Sequence, residues 1–268
     1  AKFTLNGVTY ELAKNSAEVN NLHSGPDYYR DRIWDAEVEE TALGTTITFG
    51  LHSPDGDQGY PGNADITVSY TLTPDNCLKL DYHMVSDADT IANFTNHVYF
   101  NLGGYKSGSA LDQKVWIDAD YFTATDANSI PTGELVAVKG TPMDFTEMKP
   151  IGRDIQEDYQ ALKYGNGYDH NWALNHPAGE LSLSAKAEDE KTGRTMEVYT
   201  DLPGVQFYTA NSLKTEHGKN HAVYTPRCGY CFETQYFPDA INKPEFASPV
   251  IKAGEEYKTT TIYKFGVK

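Results

Sequence analysis

Alternation of apolar and polar residues at every second position dominates the chain. "ITVSYTL" (66–72) sets Ile66, Val68, Tyr70 and Leu72 on one face against serine and threonines. "LKLDYHMV" (78–85) does the same with Leu78, Leu80, Tyr82 and Met84, and "LSLSAKA" (181–187) repeats the device. "TPDN" between the first two is turn-forming, so residues 66–85 predict a hairpin. The opening "AKFTLNGVTYEL" predicts another, with Phe3 and Leu5 before an Asn-Gly turn and Val8, Tyr10 and Leu12 after it. "EEYKTTTIYKF" near the C-terminus is β-rich as well.

Helical periodicity is scarce. "DIQEDYQALKY" (154–164) places Ile155, Tyr159 and Leu162 at helical spacing behind an aspartate able to cap, and "PDYYRDRIW" (26–34) predicts a further short turn. The 22 glycines and 13 prolines lie between strands rather than in a linker, and no repeat or low-complexity tract interrupts them. The pattern predicts one all-β domain over residues 1–268, a large antiparallel β-sandwich with one or two short helices.

One stretch stands out within that pattern. "NFTNHVYFNLGG" (93–104) reads as a strand with Phe94, Asn96, Val98 and Phe100 on one face and Thr95, His97, Tyr99 and Asn101 on the other. An imidazole in a hydrogen-bonding row backed by core suits a water-facing surface. It equally suits the floor of a site for a polyhydroxylated molecule. The "NFT" sequon is read as coincidence, because a glycan there would crowd His97.

Charge narrows the classes. The 22 basic against 38 acidic residues give a net charge of −16, which repels nucleic acid and anionic membrane surfaces and disfavours phosphorylated substrates. No apolar run approaches a membrane span and no signal peptide is visible. Cys77, Cys228 and Cys231 do not form a disulfide framework, and such usage fits a reducing, cytoplasmic setting. "CGYC" has redox spacing, but in an extended strand its thiols point to opposite faces and no second pair completes a zinc site.

Four stretches carry candidate chemistry: "NNLHSGPDYY" with His23, "TNHVYFNL" with His97, "NGYDHNWAL" with Asp169 and His170, and "CFETQYFPDAIN" with Glu233. In the last, Cys231, Glu233 and Gln235 share a face. A carboxylate inside an aromatic-rich strand costs free energy unless it is paired or at work, although Glu on a solvated sheet face needs neither. Asp169 follows "GNGY" and suits a turn carboxylate; His23 lies in a loop where histidine needs no explanation. The remaining histidines outside these stretches have no distinctive setting. Taken together, two carboxylates and two histidines among 19 tyrosines, 11 phenylalanines and 3 tryptophans match the needs of a sugar site. Aromatic rings stack on a pyranose face, carboxylates and amides bind its hydroxyls, and a His/Glu pair moves protons near neutral pH.

The motifs resemble those of the aldose 1-epimerases, the galactose mutarotases, in matching order over essentially the whole chain. "LHSGP" is similar to the family's Leu-His-Gly-Gly, with Ser24 in place of a glycine, and "SPDGDQGYPGNADITVSYTL" to its Ser-Pro-Asp-Gly…Gly-Tyr-Pro-Gly stretch. "TNHVYFNL", "GYDHNW", "LPGVQFYTAN" and "ETQYFPDAIN" resemble four further family motifs. The resemblance implies a galactose mutarotase-like supersandwich, no metal or organic cofactor, and interconversion of the α and β anomers of a free aldohexose such as galactose or glucose. It implies Glu233 as general base and His97 as general acid. His23, Tyr99, Asp169 and Gln206 would bind the monosaccharide. It does not predict an oligomeric state.

The family also carries an Asn-Arg pair, whose Arg binds substrate, upstream of where this chain opens in strand register. A separate N-terminal segment or peptide is therefore expected. Two other classes stay open on the residues alone: a glycoside hydrolase using Asp169 and Glu233, and a non-catalytic sugar-binding homologue. A phosphohexose epimerase is disfavoured by the charge and by the lack of an arginine cluster.

Overall fold

The computed structural model describes all residues, 1–268. The chain is nearly all β, with one α-helix and four 3-10 turns among its strands. No helix is long and apolar enough to cross a membrane. Two compact units divide it, the first made of Ala1–Pro74, Leu78–Phe94 and Asp239–Thr260, the second of Asp75–Cys77, Thr95–Pro238 and Thr261–Lys268.

In the first unit the opening hairpin forms as expected. Lys2–Leu5 pairs with Val8–Glu11, and Leu5 faces Val8 across a two-residue turn in which Asn6 (φ 51°) and Gly7 (φ 79°) are both left-handed. Phe3 is buried and stacks on Tyr10 and Tyr60. Strands Asp35–Thr41, Gly44–Ser53, Ala64–Leu72 and Cys77–Ser86 form an antiparallel meander. Its last pair is the predicted hairpin, with Leu72 opposite Leu78. Ile66, Leu80, Tyr82 and Met84 are buried as the alternation requires. Toward the turn the rule fails: Leu72 is exposed and Thr71 buried, its hydroxyl 2.8 Å from that of Thr46. That Thr–Thr hydrogen bond offsets the cost of burying the polar face. The 26–34 segment yields only a 3-10 turn, Tyr29–Asp31.

The second unit is a β-sandwich. One layer has five strands in the order Pro131–Ala137, Tyr121–Thr125, Asp169–Ala173, Gly204–Tyr208 and Cys231–Gln235. The other contains Lys149–Pro150, Lys114–Ile117, Ser182–Glu188, Arg194–Thr200 and residues 261–267 of the last strand. The layers meet where the Tyr263 hydroxyl donates to the Phe232 carbonyl (3.0 Å) and the hydroxyls of Thr234 and Thr261 bond at 2.5 Å. Aromatic rings fill the core around Phe207, which stacks on Phe232 (5.2 Å between centroids) and meets Phe145 and Trp172 edge-on.

Two expectations need correction here. In "LSLSAKA" the register shifts between Leu183 and Ala185, so Leu181 is exposed while Ser184 and Ala185 are both buried; a bulge has switched the inward face. The 154–164 helix shrinks to Gln160–Gly165. The Asp154 carboxylate does not cap it, because Lys149 and Arg153 hold it, and Tyr159 is extended.

Candidate active site

Three adjacent strands of the five-stranded layer build the floor. Their register sets Asn171 opposite Gln206 and Gln206 opposite Glu233, while Asp169 faces Tyr208 and Tyr208 faces Cys231. Because side chains alternate, these residues share one face, with Gln235 beyond them. His170, Trp172, Val205, Phe207, Phe232 and Thr234 occupy the other face and are fully buried. The polar row therefore stands on a rigid aromatic core. Gly204 belongs to the same design: a β-carbon there would lie 2.5 Å from Asn171 Oδ1, so only glycine lets that amide cross the strand.

Amides link the row. Gln206 Nε2 donates to Asp169 Oδ1 (2.8 Å), and Gln235 Nε2 donates to Asn171 Oδ1 (3.1 Å) and Gln206 Oε1 (3.3 Å). These bonds fix which end of the Gln206 amide points at the carboxylate.

His97 reaches the row from outside the sheet. Residues 92–99 are not a strand, which corrects the reading of 94–101. The Asn96 side chain accepts from the Val98 N–H (3.1 Å), a local bond that competes with ladder pairing, and Val98 is exposed rather than buried. Ladder contact is limited to a bridge from Phe100 to Tyr230, with N–H···O bonds of 2.7 and 3.0 Å in the two directions. That bridge anchors the segment one residue before the Glu233 strand begins. His97 Nε2 then lies 3.5 Å from Glu233 Oε1, and Nδ1 lies 3.4 Å from Cys231 Sγ. Tyr99 and Tyr208 flank the imidazole, with centroids 5.2 and 6.1 Å from it.

Electrostatics set the proton affinities. Burial pushes the Glu233 carboxyl up to about 8, and the nearby Asp169 charge adds to this. Burial also raises Asp169, opposed by the Gln206 amide. The Cys231 thiol is driven far upward by burial and stays protonated. A dry carboxyl titrating near neutrality beside an imidazole can accept and return a proton at working pH.

The expected residues thus divide. His97, Tyr99, Asp169, Gln206 and Glu233 all belong to the second unit, where the contacts above join them. His23 belongs to the first unit, exposed on a loop where it and Ser24 take left-handed backbone (φ 54° and 55°). His170, in the same stretch as Asp169, points to the core; its Nδ1 accepts the Asp169 N–H (3.1 Å), and burial lowers its pKa to about 4. Sequence reading missed Tyr208, Gln235 and the contact of Cys231 with His97. Alternation had already put Cys231 and Gln235 on the Glu233 face. The register with neighbouring strands, which brings in Tyr208, has no local signal. No disulfide joins Cys77, Cys228 or Cys231. The site brings together one histidine and two carboxylates, His97 with Asp169 and Glu233, and its neutral amides and tyrosines suit the binding of hydroxyl groups.

Comparison with known proteins agrees with this chemistry. The family model described as "Aldose 1-epimerase" matches residues 1–264. A protein named galactose mutarotase from Bos taurus is 41% identical over 266 residues, covering 99% of this chain and 74% of that protein. One named aldose 1-epimerase from Haemophilus influenzae is 37% identical over 280 residues, covering 99% of this chain and 76% of the relative. Among solved structures, a galactose 1-epimerase from Lactobacillus acidophilus superposes with a TM-score of 0.86 at 27% identity, covering 99% of this chain and 75% of that one. With a full-length match and relatives this similar, the chain belongs to the aldose 1-epimerase family.

Proposed function

We propose that this chain interconverts the α and β anomers of a free aldohexose, with Glu233 as base and His97 as acid. The observation that carries the reading is the 3.5 Å approach of His97 Nε2 to Glu233 Oε1 on a floor of hydroxyl-binding amides. In the working state the Glu233 carboxylate takes the C1 hydroxyl proton while His97 Nε2 gives a proton to the ring oxygen. The C1–ring oxygen bond breaks and a C1 carbonyl forms. Rotation about C1–C2 presents the other carbonyl face; His97 then recovers its proton, Glu233 returns its own, and the ring closes as the other anomer. Paired transfer avoids a free alkoxide and a free oxocarbenium ion, which is why two groups are needed.

Asp169 and Gln206 bind ring hydroxyls in this reading, their amide–carboxylate bond presenting one acceptor and one donor edge to the sugar. Tyr99 offers an aromatic edge beside them. His23 is assigned a hydrogen bond to the sugar on the family motif alone. Galactose or glucose is the first choice of substrate. Three cysteines with no disulfide among them support a reducing, cytoplasmic setting.

Polarimetry of freshly dissolved α-galactose tests the reading. Accelerated decay of rotation, with no release of nitrophenol from nitrophenyl galactosides, is expected. Glycoside cleavage without mutarotation would instead assign Asp169 and Glu233 to a hydrolase.

A further inference from the structure

We propose that Cys231 is a positioning residue whose sulfur accepts the Nδ1 proton of His97 and so keeps Nε2 as the nitrogen that works. This deepens the reading of His97 as the acid and rests on it. The two ring nitrogens face different partners: Nε2 looks to Glu233 Oε1 at 3.5 Å and Nδ1 to Cys231 Sγ at 3.4 Å. Which nitrogen holds a proton is set by the bond the other makes.

The chemistry of turnover selects between the two tautomers. A nitrogen that gives a proton to the ring oxygen must exist with and without it in each cycle. The other nitrogen must therefore keep its proton throughout, or the ring would have to become an imidazolate, far too strong a base to form here. If the thiol donated to Nδ1, the neutral ring would carry its only proton on Nε2 and would face that barrier. With Nδ1–H donated to sulfur, Nε2 alternates freely between protonated and bare.

The choice of sulfur has a consequence. A carboxylate at Nδ1 would stabilise the imidazolium and hold back the proton that must be given up. Sulfur is a weak acceptor. It orients the ring at little cost to its acidity. Cys231 suits this task because it is fully buried, at 0% exposure, and fixed at the start of the Cys231–Gln235 strand, where its backbone pairs with Tyr208. Burial keeps the thiol protonated, so no thiolate competes with Glu233 for the site's charge.

Long-range ¹H–¹⁵N correlation spectra of the sugar-free chain, labelled at histidine nitrogens and taken where the ring is neutral, read the tautomer directly. The His97 signals are identified by their loss in His97→Asn. The protein is expected to show Nδ1–H at His97. Cys231→Ala should shift the ring toward Nε2–H, the form free histidine prefers in water, and lower kcat about tenfold with little change in KM. Cys231→Ser, which restores an acceptor, should keep the Nδ1–H form and most of the kcat. An Nε2–H ring in the unaltered chain would overturn the proposal, and so would an Nδ1–H ring unmoved in Cys231→Ala. Because the tautomer is read without sugar or turnover, an inactive chain would count against the proposed function and not against this assignment.

Discussion

His97 and Glu233 meet at 3.5 Å with unequal access to water: the histidine side chain is 33% exposed and the glutamate side chain 7%. The carboxyl sits in the dry layer over the aromatic core and the imidazole at its wet margin. Burial therefore acts mainly on Glu233, raising its affinity for the proton it is to abstract.

That asymmetry fixes a pH dependence. Glu233 must be ionised to act, so kcat/KM should fall on the acid side with a midpoint near 8 rather than near the roughly 4.3 of an ordinary glutamate. Asp169→Asn removes a charge that contributes to the shift and should move the midpoint downward, whatever it does to sugar binding. A limb in the ordinary carboxylate range, unmoved by Asp169→Asn, would show that Glu233 is not the titrating base.

The same shift bears on stability. A carboxyl whose folded pKa is raised binds more protons in the native state than in the unfolded one between about 4.3 and 8. Its contribution is fully present below that window and is lost as pH rises through it. Glu233→Gln should thus be more stable than the parent at pH 9, on the order of 2–4 kcal/mol, and should differ little at pH 4. Urea midpoints at the two pH values measure the difference.

Beneath the floor, Lys149 is 1% exposed, bonded to Asp154 and the Pro142 carbonyl (both 2.7 Å), with its ammonium 4.2 Å from the Phe145 ring centroid. Asp154→Ala leaves that ammonium without its counter-ion and should cost about 3–5 kcal/mol. Lys149→Met replaces the buried charge with a shape-compatible apolar chain and should be near neutral. Denaturant unfolding separates the two outcomes.

Gln206 links Asp169 to Gln235 through one amide. Gln206→Ala removes a donor to the carboxylate and a ligand for the sugar, and should raise KM about tenfold, the scale of a hydrogen bond to a charged group. Saturation kinetics of anomer exchange measure it; an unchanged KM would place the sugar elsewhere.

Local pattern made part of this legible and left part unreadable. Alternation in "CFETQ" put Cys231, Glu233 and Gln235 on one face, and the structure keeps them there, because both faces of that strand are covered and its register is strongly specified. The Asn-Gly turn fixed the first hairpin by its backbone demands. Alternation misled at His97, whose segment reads as a strand but is held off the ladder by the Asn96 side chain, and at Leu181, whose strand is re-aimed by a bulge. The contact between His97 and Cys231 was unreadable for a different reason. It depends on the Phe100–Tyr230 bridge, a pairing between distant parts of the chain that no window of sequence contains.

The central claim is that His97 and Glu233 act as one acid–base pair on the anomeric centre. Proton NMR of freshly dissolved α-galactose, following both anomeric signals toward equilibrium, tests it most directly. The chain should accelerate the approach, and Glu233→Gln and His97→Asn should each lower the catalysed rate about 10²- to 10⁴-fold without unfolding the protein. Full catalysis retained in either variant would contradict the account.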